Sequence, residues 1–159
     1  MDLKGILAIA GQPGLYKMIS QAKNSIIVES LNTQKRMPAY ATSKISALED
    51  IAIYTYTEDI PLADVFKKLF TKESGGQAID HKASANALKD YMTEILPDYD
   101  KDRVYVSDIK KIMQWYNVLV DLEMIDLEEP AEETDENETE ESDTSTDENT
   151  DQEAHENKE

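Results

Sequence analysis

The acidic residues of this 159-residue chain are concentrated at its C-terminal end. Residues 127 to 159 contain 16 of the 34 acidic side chains and a single basic one, Lys158. Apart from Leu127, two alanines and one proline, the segment is polar, so burial cannot offset the entropy lost on ordering. The sequence therefore predicts a disordered acidic tail. Of the net charge of −18, the tail carries −15 (1 − 16) and residues 1 to 126 carry only −3 (15 − 18).

Short apolar segments separated by turn residues occupy the first third of the chain. Their spacing leaves no room for crossover helices, which predicts an antiparallel meander closed into a small barrel. The segment from Ser43 to Asp50 is expected to form a single helical turn. The five predicted strands are Leu3 to Ala10, Tyr16 to Ser20, Ile26 to Leu31, Lys35 to Tyr40 and Ile51 to Tyr56.

The periodicity of apolar residues changes after Asp59 to the three- and four-residue spacing of helices. The helices are expected from Pro61 to Gly75, from the cap Ser84 to about Leu96, and from the cap Ser107 to about Met124. The predicted fold is thus α+β: a small five-stranded antiparallel SH3-like barrel, a three-helix subdomain and a disordered tail. The predicted domain bounds are residues 1–57, 58–126 and 127–159.

The residue types that support catalysis or metal binding are scarce in this chain. Cysteine is absent, which excludes disulfides and thiolate sites, and one of the two histidines lies in the tail. The run Asp98-x-Asp100-x-Asp102 starts like a calcium loop, but its sixth and twelfth positions are Arg103 and Ile109 instead of glycine and glutamate. The sequence predicts a non-enzymatic protein without cofactor or metal. Because no export signal or membrane span is visible, a cytoplasmic location is expected.

The third predicted helix is apolar on two sides. If the stripe from Ile109 to Val120 faces the core, Trp115, Val118 and Leu122 lie on a second stripe. This second stripe is either buried between the helices and the barrel or open to a partner. The second interpretation leads to the first functional hypothesis, a cytoplasmic adaptor that binds another protein.

Residues 1 to 48 have a positive bias, with six basic side chains against two acidic ones. Together with nearby tyrosines, these lysines favour an alternative function as an RNA- or ribosome-associated factor, unless they are ordinary solvated turn residues. The candidate RNA-binding residues are Tyr16, Lys17, Lys35, Arg36 and Tyr40.

Two stretches, KGILAIAGQPGLYKMISQAKNSIIVESL from Lys4 to Leu31 and LPDYDKDRVYVSDIKKIMQWYNVL from Leu96 to Leu119, resemble a family of small, uncharacterised bacterial proteins. The resemblance covers residues 1 to about 126 and leaves out the tail. It implies an N-terminal β domain of unknown function followed by a small helical domain in a cytoplasmic bacterial protein, and it brings no activity or site residues. The β part also looks like an SH3-like barrel, a topology that hosts both RNA and protein binding.

Overall fold

The computed structural model describes residues 2–125 and has an α+β fold, with a five-stranded antiparallel sheet and three helices. The predicted acidic tail lies outside the described residues. The strands are β1 (Ile6–Ile9), β2 (Tyr16–Gln21), β3 (Ser25–Ser30), β4 (Arg36–Tyr40), β5 (Ile45–Ala47), β6 (Ala52–Ile53) and β7 (Ile60–Pro61). A short 3-10 helix spans Leu48–Asp50, and the helices are α1 (Leu62–Lys72), α2 (Ala85–Ile95) and α3 (Val106–Asp121).

The large sheet has the strand order β4-β3-β2-β1-β5, and its fifth strand differs from the predicted one. Ile45 and Ala47 alternate with Ser46, pair with β1 and pack against the apolar face of the sheet, so this segment forms a strand instead of the predicted helical turn. Only Leu48–Asp50 is helical there. Within the described residues no ladder joins β4 to β5, so the predicted closure of the barrel is not found.

The segment predicted as the fifth strand, Ile51 to Tyr56, lies with the helices instead. Its β6 part pairs with β7 in a separate two-stranded sheet, and Thr55 bridges to Tyr99. The buried Thr55 hydroxyl accepts a hydrogen bond of 3.0 Å from the Glu58 amide and so fixes the turn from β6 to β7. The branched and aromatic residues of this segment thus belong to a hairpin that leads directly into α1.

The three helices lie close to their predicted positions. Ser84 caps α2, because its Oγ accepts a hydrogen bond of 3.2 Å from the Ala87 amide. The predicted cap of α3, Ser107, is wrong: the cap is Tyr105, and the Asp108 carboxylate accepts a 3.0 Å hydrogen bond from the Tyr105 amide. A carboxylate in the first turn stabilises the unpaired amides at a helix start. No helix in residues 2–125 is long and apolar enough to span a bilayer.

Two hydrophobic cores meet at β1, because its successive side chains point to opposite faces of the sheet. Leu7 and Ile9 belong to a small core on one face, whereas Ile6 and Ala8 pack into a large core with the helices. Leu48, in the 3-10 helix that follows β5, also belongs to the large core. The two parts of the chain are therefore joined through a shared interior. The small core consists of Leu7, Ile9, Tyr16, Val28 and Ala39.

Candidate functional site

One side of α3 is left partly open, while five residues of the main apolar stripe are buried: Ile109, Ile112, Met113, Tyr116 and Leu119. We call this open side the α3 face; it consists of Lys111, Gln114, Trp115, Val118 and Leu122. The three predicted partner-binding residues do share it. Trp115 and Val118 are half-buried against the large core, and Leu122 is 38% exposed. The α3 face therefore combines packing on the core with accessible apolar surface.

A groove of about 250 Å³, the β6–α3 groove, runs between the strand β6 and the first half of α3. Val104, Ile112 and Trp115 supply most of its apolar lining on the helical side, and the strand supplies the opposite wall. Arg103 and Lys111 contribute the basic groups of its rim. Apolar walls with a few polar groups at the edge are typical of sites that bind ligands or peptides.

Arg103 is held in place by two contacts. Its Nε donates a 2.7 Å hydrogen bond to Oδ2 of Asp100, and its guanidinium lies over the Tyr54 ring, 4.3 Å from the centroid. The hydrogen bond from Arg103 holds the pKa of Asp100 below its usual range, with further help from the amides of Asp102 and Arg103. This arrangement fixes one end of the groove.

The aspartates of the apparent calcium loop serve the turn before α3. Asp100 Oδ1 accepts a 2.9 Å hydrogen bond from the Asp102 amide, and Asp98 accepts one of 3.3 Å from the Thr57 hydroxyl. Among residues 2–125, no cluster of three potential metal ligands occurs.

The charged side chains around the β6–α3 groove differ in whether they have a bonding partner. Arg103 is paired with Asp100, and Asp108 accepts the hydrogen bond that caps α3. Lys111 is exposed and makes no ion pair with any other described residue. Asp108 keeps its negative charge but is held at the start of α3, so the Lys111 ammonium group is the unpaired basic group available to a molecule that enters the groove.

A second groove, of about 380 Å³, lies beside the other half of the α3 face. It separates Gln114 and Val118 from the turns that follow β1 and β3, and Lys35 and Tyr16 line its far side. Members of both predicted sets of binding residues thus meet at one groove. Tyr16, however, is only 5% exposed, and its hydroxyl donates a 3.2 Å hydrogen bond to the Pro13 carbonyl, so its ring offers no free face for stacking.

The candidate RNA-binding residues do not form one continuous surface. Lys17 and Arg36 flank Glu29 across three neighbouring strands, and Arg36 Nε donates a 2.8 Å hydrogen bond to this carboxylate. Tyr40, 55% exposed, lies near the tip of the β2–β3 hairpin, beside a separate open cavity of about 680 Å³. Because the basic groups are divided and one is neutralised, the electrostatic argument for RNA is weaker than the composition suggested.

Sequence reasoning missed three residues of the β6–α3 groove: Tyr54, Arg103 and Lys111. For Lys111 a signal was available, because it lies four residues before Trp115 and so extends the second stripe by one turn. Tyr54 and Arg103 meet through contacts between residues far apart in the chain, which helical periodicity does not reveal.

An antiparallel sheet and a helical part that pack together in the large core define a two-part α+β protein, and comparison with known proteins agrees with this division. Residues 3–48 match a family model described as a Domain of unknown function (DUF5606), and residues 51–119 match another Domain of unknown function (DUF6852). A solution NMR structure of a structural genomics target from Bacteroides vulgatus is 51% identical in sequence, with a TM-score of 0.68. This similarity covers 79% of the present chain and 90% of the Bacteroides chain.

The chain belongs to the same family as that Bacteroides protein, and in this chain the two domains of unknown function follow one another. The resemblance to a two-part bacterial family is thereby confirmed. Among curated proteins, no significant match to the chain was found. The predicted bounds of the domains stay predictions.

Proposed function

We propose that this protein is a non-enzymatic cytoplasmic adaptor that binds another protein through the α3 face. The observation that carries the proposal is the position of Trp115, which packs against the large core on one side and borders the β6–α3 groove on the other. Tryptophan is enriched at the energetic centres of protein interfaces, where it fills pockets that exclude water. A tryptophan already ordered by the core loses little conformational entropy when a partner covers it.

The structural roles of the ionisable groups with raised pKa values support an interface for a protein more than a site for a reaction. The strongly perturbed ionisable groups are engaged in hydrogen bonds that shape the fold. Burial raises the pKa of Tyr91, whose hydroxyl donates to Glu73, and raises the pKa of Tyr116 to about 12. Tyr116 donates a 3.0 Å hydrogen bond to the Gly76 carbonyl.

Two finer parts of the proposal rest on separate observations. The SH3-like character of the β part is supported by one apolar cluster that includes residues near both edges of the sheet, Ala39 of β4 and Ile45 of β5. The cytoplasmic location is supported by the absence of cysteine from the whole chain, which suits a reducing compartment.

The proposal can be tested by photo-crosslinking with the full-length protein. A photoreactive amino acid replaces Gln114 on the α3 face or, as the control, Lys89 on the exposed side of α2. After irradiation in a cell lysate, we expect a nuclease-resistant adduct with one protein, identified by mass spectrometry, at position 114 only. Equal adducts at both positions, no adduct, or an adduct with RNA would contradict the adaptor proposal.

A matched pair of substitutions then tests whether the exposed apolar end of the face takes part. Leu122 and Ile19 are similarly exposed, at 38% and 39%, but Ile19 lies on β2. We expect Leu122→Asp to remove the adduct formed at position 114 and Ile19→Asp to retain it. Because both side chains are exposed, neither change should cost much stability.

A further inference from the structure

The backbone of β6 has one edge paired and one edge partly free. Leu62 N donates to Ile51 O at 2.9 Å, and Ala52 and Ile53 lie opposite Pro61 and Ile60. In an antiparallel pair, successive residues direct their backbone groups to alternate edges. The groups of Ile53 therefore point to β7, and those of Ala52 point away from it.

Just after β6, the same edge of the backbone already pairs with an extended segment. Asp100 N donates to Tyr54 O at 2.9 Å, and Tyr56 N donates to Asp98 O at 3.0 Å, so residues 98–100 pair with residues 54–56. The pairing stops where the chain turns toward α3, with Val104 N bonded to Asp100 O at 2.9 Å. The position opposite Ala52, an exposed residue that lines the β6–α3 groove, is thus left without a backbone partner among the described residues.

The helical wall of the groove indicates what kind of side chains would accompany an added strand. An extended segment places its side chains alternately on two sides. Those directed inward would meet the apolar surface of Ile112 and Trp115. A neighbouring acidic residue would lie within reach of the long, flexible Lys111 side chain, whose charge no other described residue neutralises.

We propose that the β6–α3 groove binds an extended peptide segment of a partner protein, which adds as a strand at Ala52 and carries alternating apolar and acidic residues. Strand addition supplies affinity through main-chain hydrogen bonds, and the pockets beside the edge supply specificity. This inference rests on the adaptor function and names the chemistry of its partner.

The probe is a synthetic eight-residue peptide of alternating valine and glutamate with blocked termini, titrated against the full-length protein. Trp115 is the only tryptophan in the chain, so its emission reports entry into the groove directly. We expect saturable binding with a blue shift. Lys111→Glu should weaken binding at least tenfold and favour a valine–lysine peptide instead.

Two controls distinguish strand addition from nonspecific electrostatic attraction between the peptide and the protein. Lys110 is exposed on the same helix but does not line the groove, so Lys110→Glu should leave the affinity unchanged. Methylation of the alternate peptide nitrogens that face Ala52 should abolish binding, whereas methylation of the other set should not. Equal effects of the two lysine substitutions, or tight binding of both methylated peptides, would overturn the proposal.

The remaining outcomes distinguish this inference from the adaptor function. No peptide binding together with a protein adduct at position 114 would refute strand addition and leave the adaptor function standing. If neither is observed, both proposals fail. If no peptide binds but removal of residues 127–159 shifts the Trp115 emission, the occupant is the acidic C-terminal segment of the chain itself, and the partner-peptide proposal is wrong.

Discussion

The two hydrophobic cores differ in how far along the chain their residues lie. The small core draws its five buried residues from Leu7 to Ala39 and occupies one face of the sheet. The large core extends from Leu3 to Ile125 and includes buried residues from all three helices. Because β1 contributes side chains to both cores, we expect the stability of the sheet to depend on the helices that cover the other side of β1. We therefore expect that the two matched family regions do not fold as independent units.

The largest effects are expected from two neighbouring residues of β1 that face different cores. Ile6→Ala and Leu7→Ala should each lower the free energy of unfolding by about 2–5 kcal/mol, because each leaves a cavity in a packed core. Amide hydrogen exchange should distinguish the two variants. Ile6→Ala should speed exchange in both the sheet and the helices, and Leu7→Ala should act mainly on the sheet.

This pair of variants also tests whether the two cores behave as separate units. If Leu7→Ala speeds exchange in α1 and α3 as strongly as Ile6→Ala does, the cores act as one unit. Chemical denaturation followed by both circular dichroism and Trp115 emission provides the matching measurement, since coincident transitions indicate a single cooperative unit.

A smaller effect is expected within the large core from Tyr116→Phe, which removes the hydrogen bond to the Gly76 carbonyl. The loss should be about 1–2 kcal/mol, because it leaves a polar group without its partner. The folded pKa of Tyr116 is raised to about 12, so its contribution is complete below the unfolded value of about 10 and is lost as the pH rises toward 12. Thermal melts between pH 9 and 12 should therefore decline less for the phenylalanine variant. An equally steep alkaline decline in that variant would show that the ionisation of Tyr116 does not destabilise the folded protein.

The smallest effect is expected from deleting residues 127–159. A segment with almost no apolar residues has little to contribute to either core, so the free energy of unfolding should change by less than about 0.5 kcal/mol. Differential scanning calorimetry at moderate salt provides the measurement, with the full-length chain as the reference. A shift of several degrees in Tm would show that the acidic segment takes part in the fold.

Helices were easier to predict than the sheet because their signals are local. The spacing of Leu62, Val65, Phe66 and Leu69 predicts α1 without reference to the rest of the chain. Ser84 was correctly predicted as a cap, since capping involves only the next three residues. The fifth strand was misplaced because Ile45–Ala47 is stabilised by β1, nearly forty residues earlier.

The candidate site was predictable to the extent that it follows the period of one helix. Trp115, Val118 and Leu122 share the face that the stripe indicated, and their binding role stays a prediction. The groove beside them could not be predicted, because Tyr54 approaches Arg103 only through the pairing of Thr55 with Tyr99. Burial of Tyr16 likewise depends on strand pairing, which places its ring on the inner face of the sheet.

The double role of β1 has a consequence for synthesis on the ribosome. Every residue of the small core has been synthesised once residue 47 is made, so this face of the sheet can begin to pack before the helices are complete. Ile6 and Ala8 point to the other face of the sheet, which is covered only after α1, α2 and α3 have been synthesised. At ~5–20 residues per second, residues 48–125 take roughly 4–16 s to translate. During that interval the apolar strip formed by Ile6 and Ala8 remains uncovered, and the speed of translation sets how long chaperones can reach it.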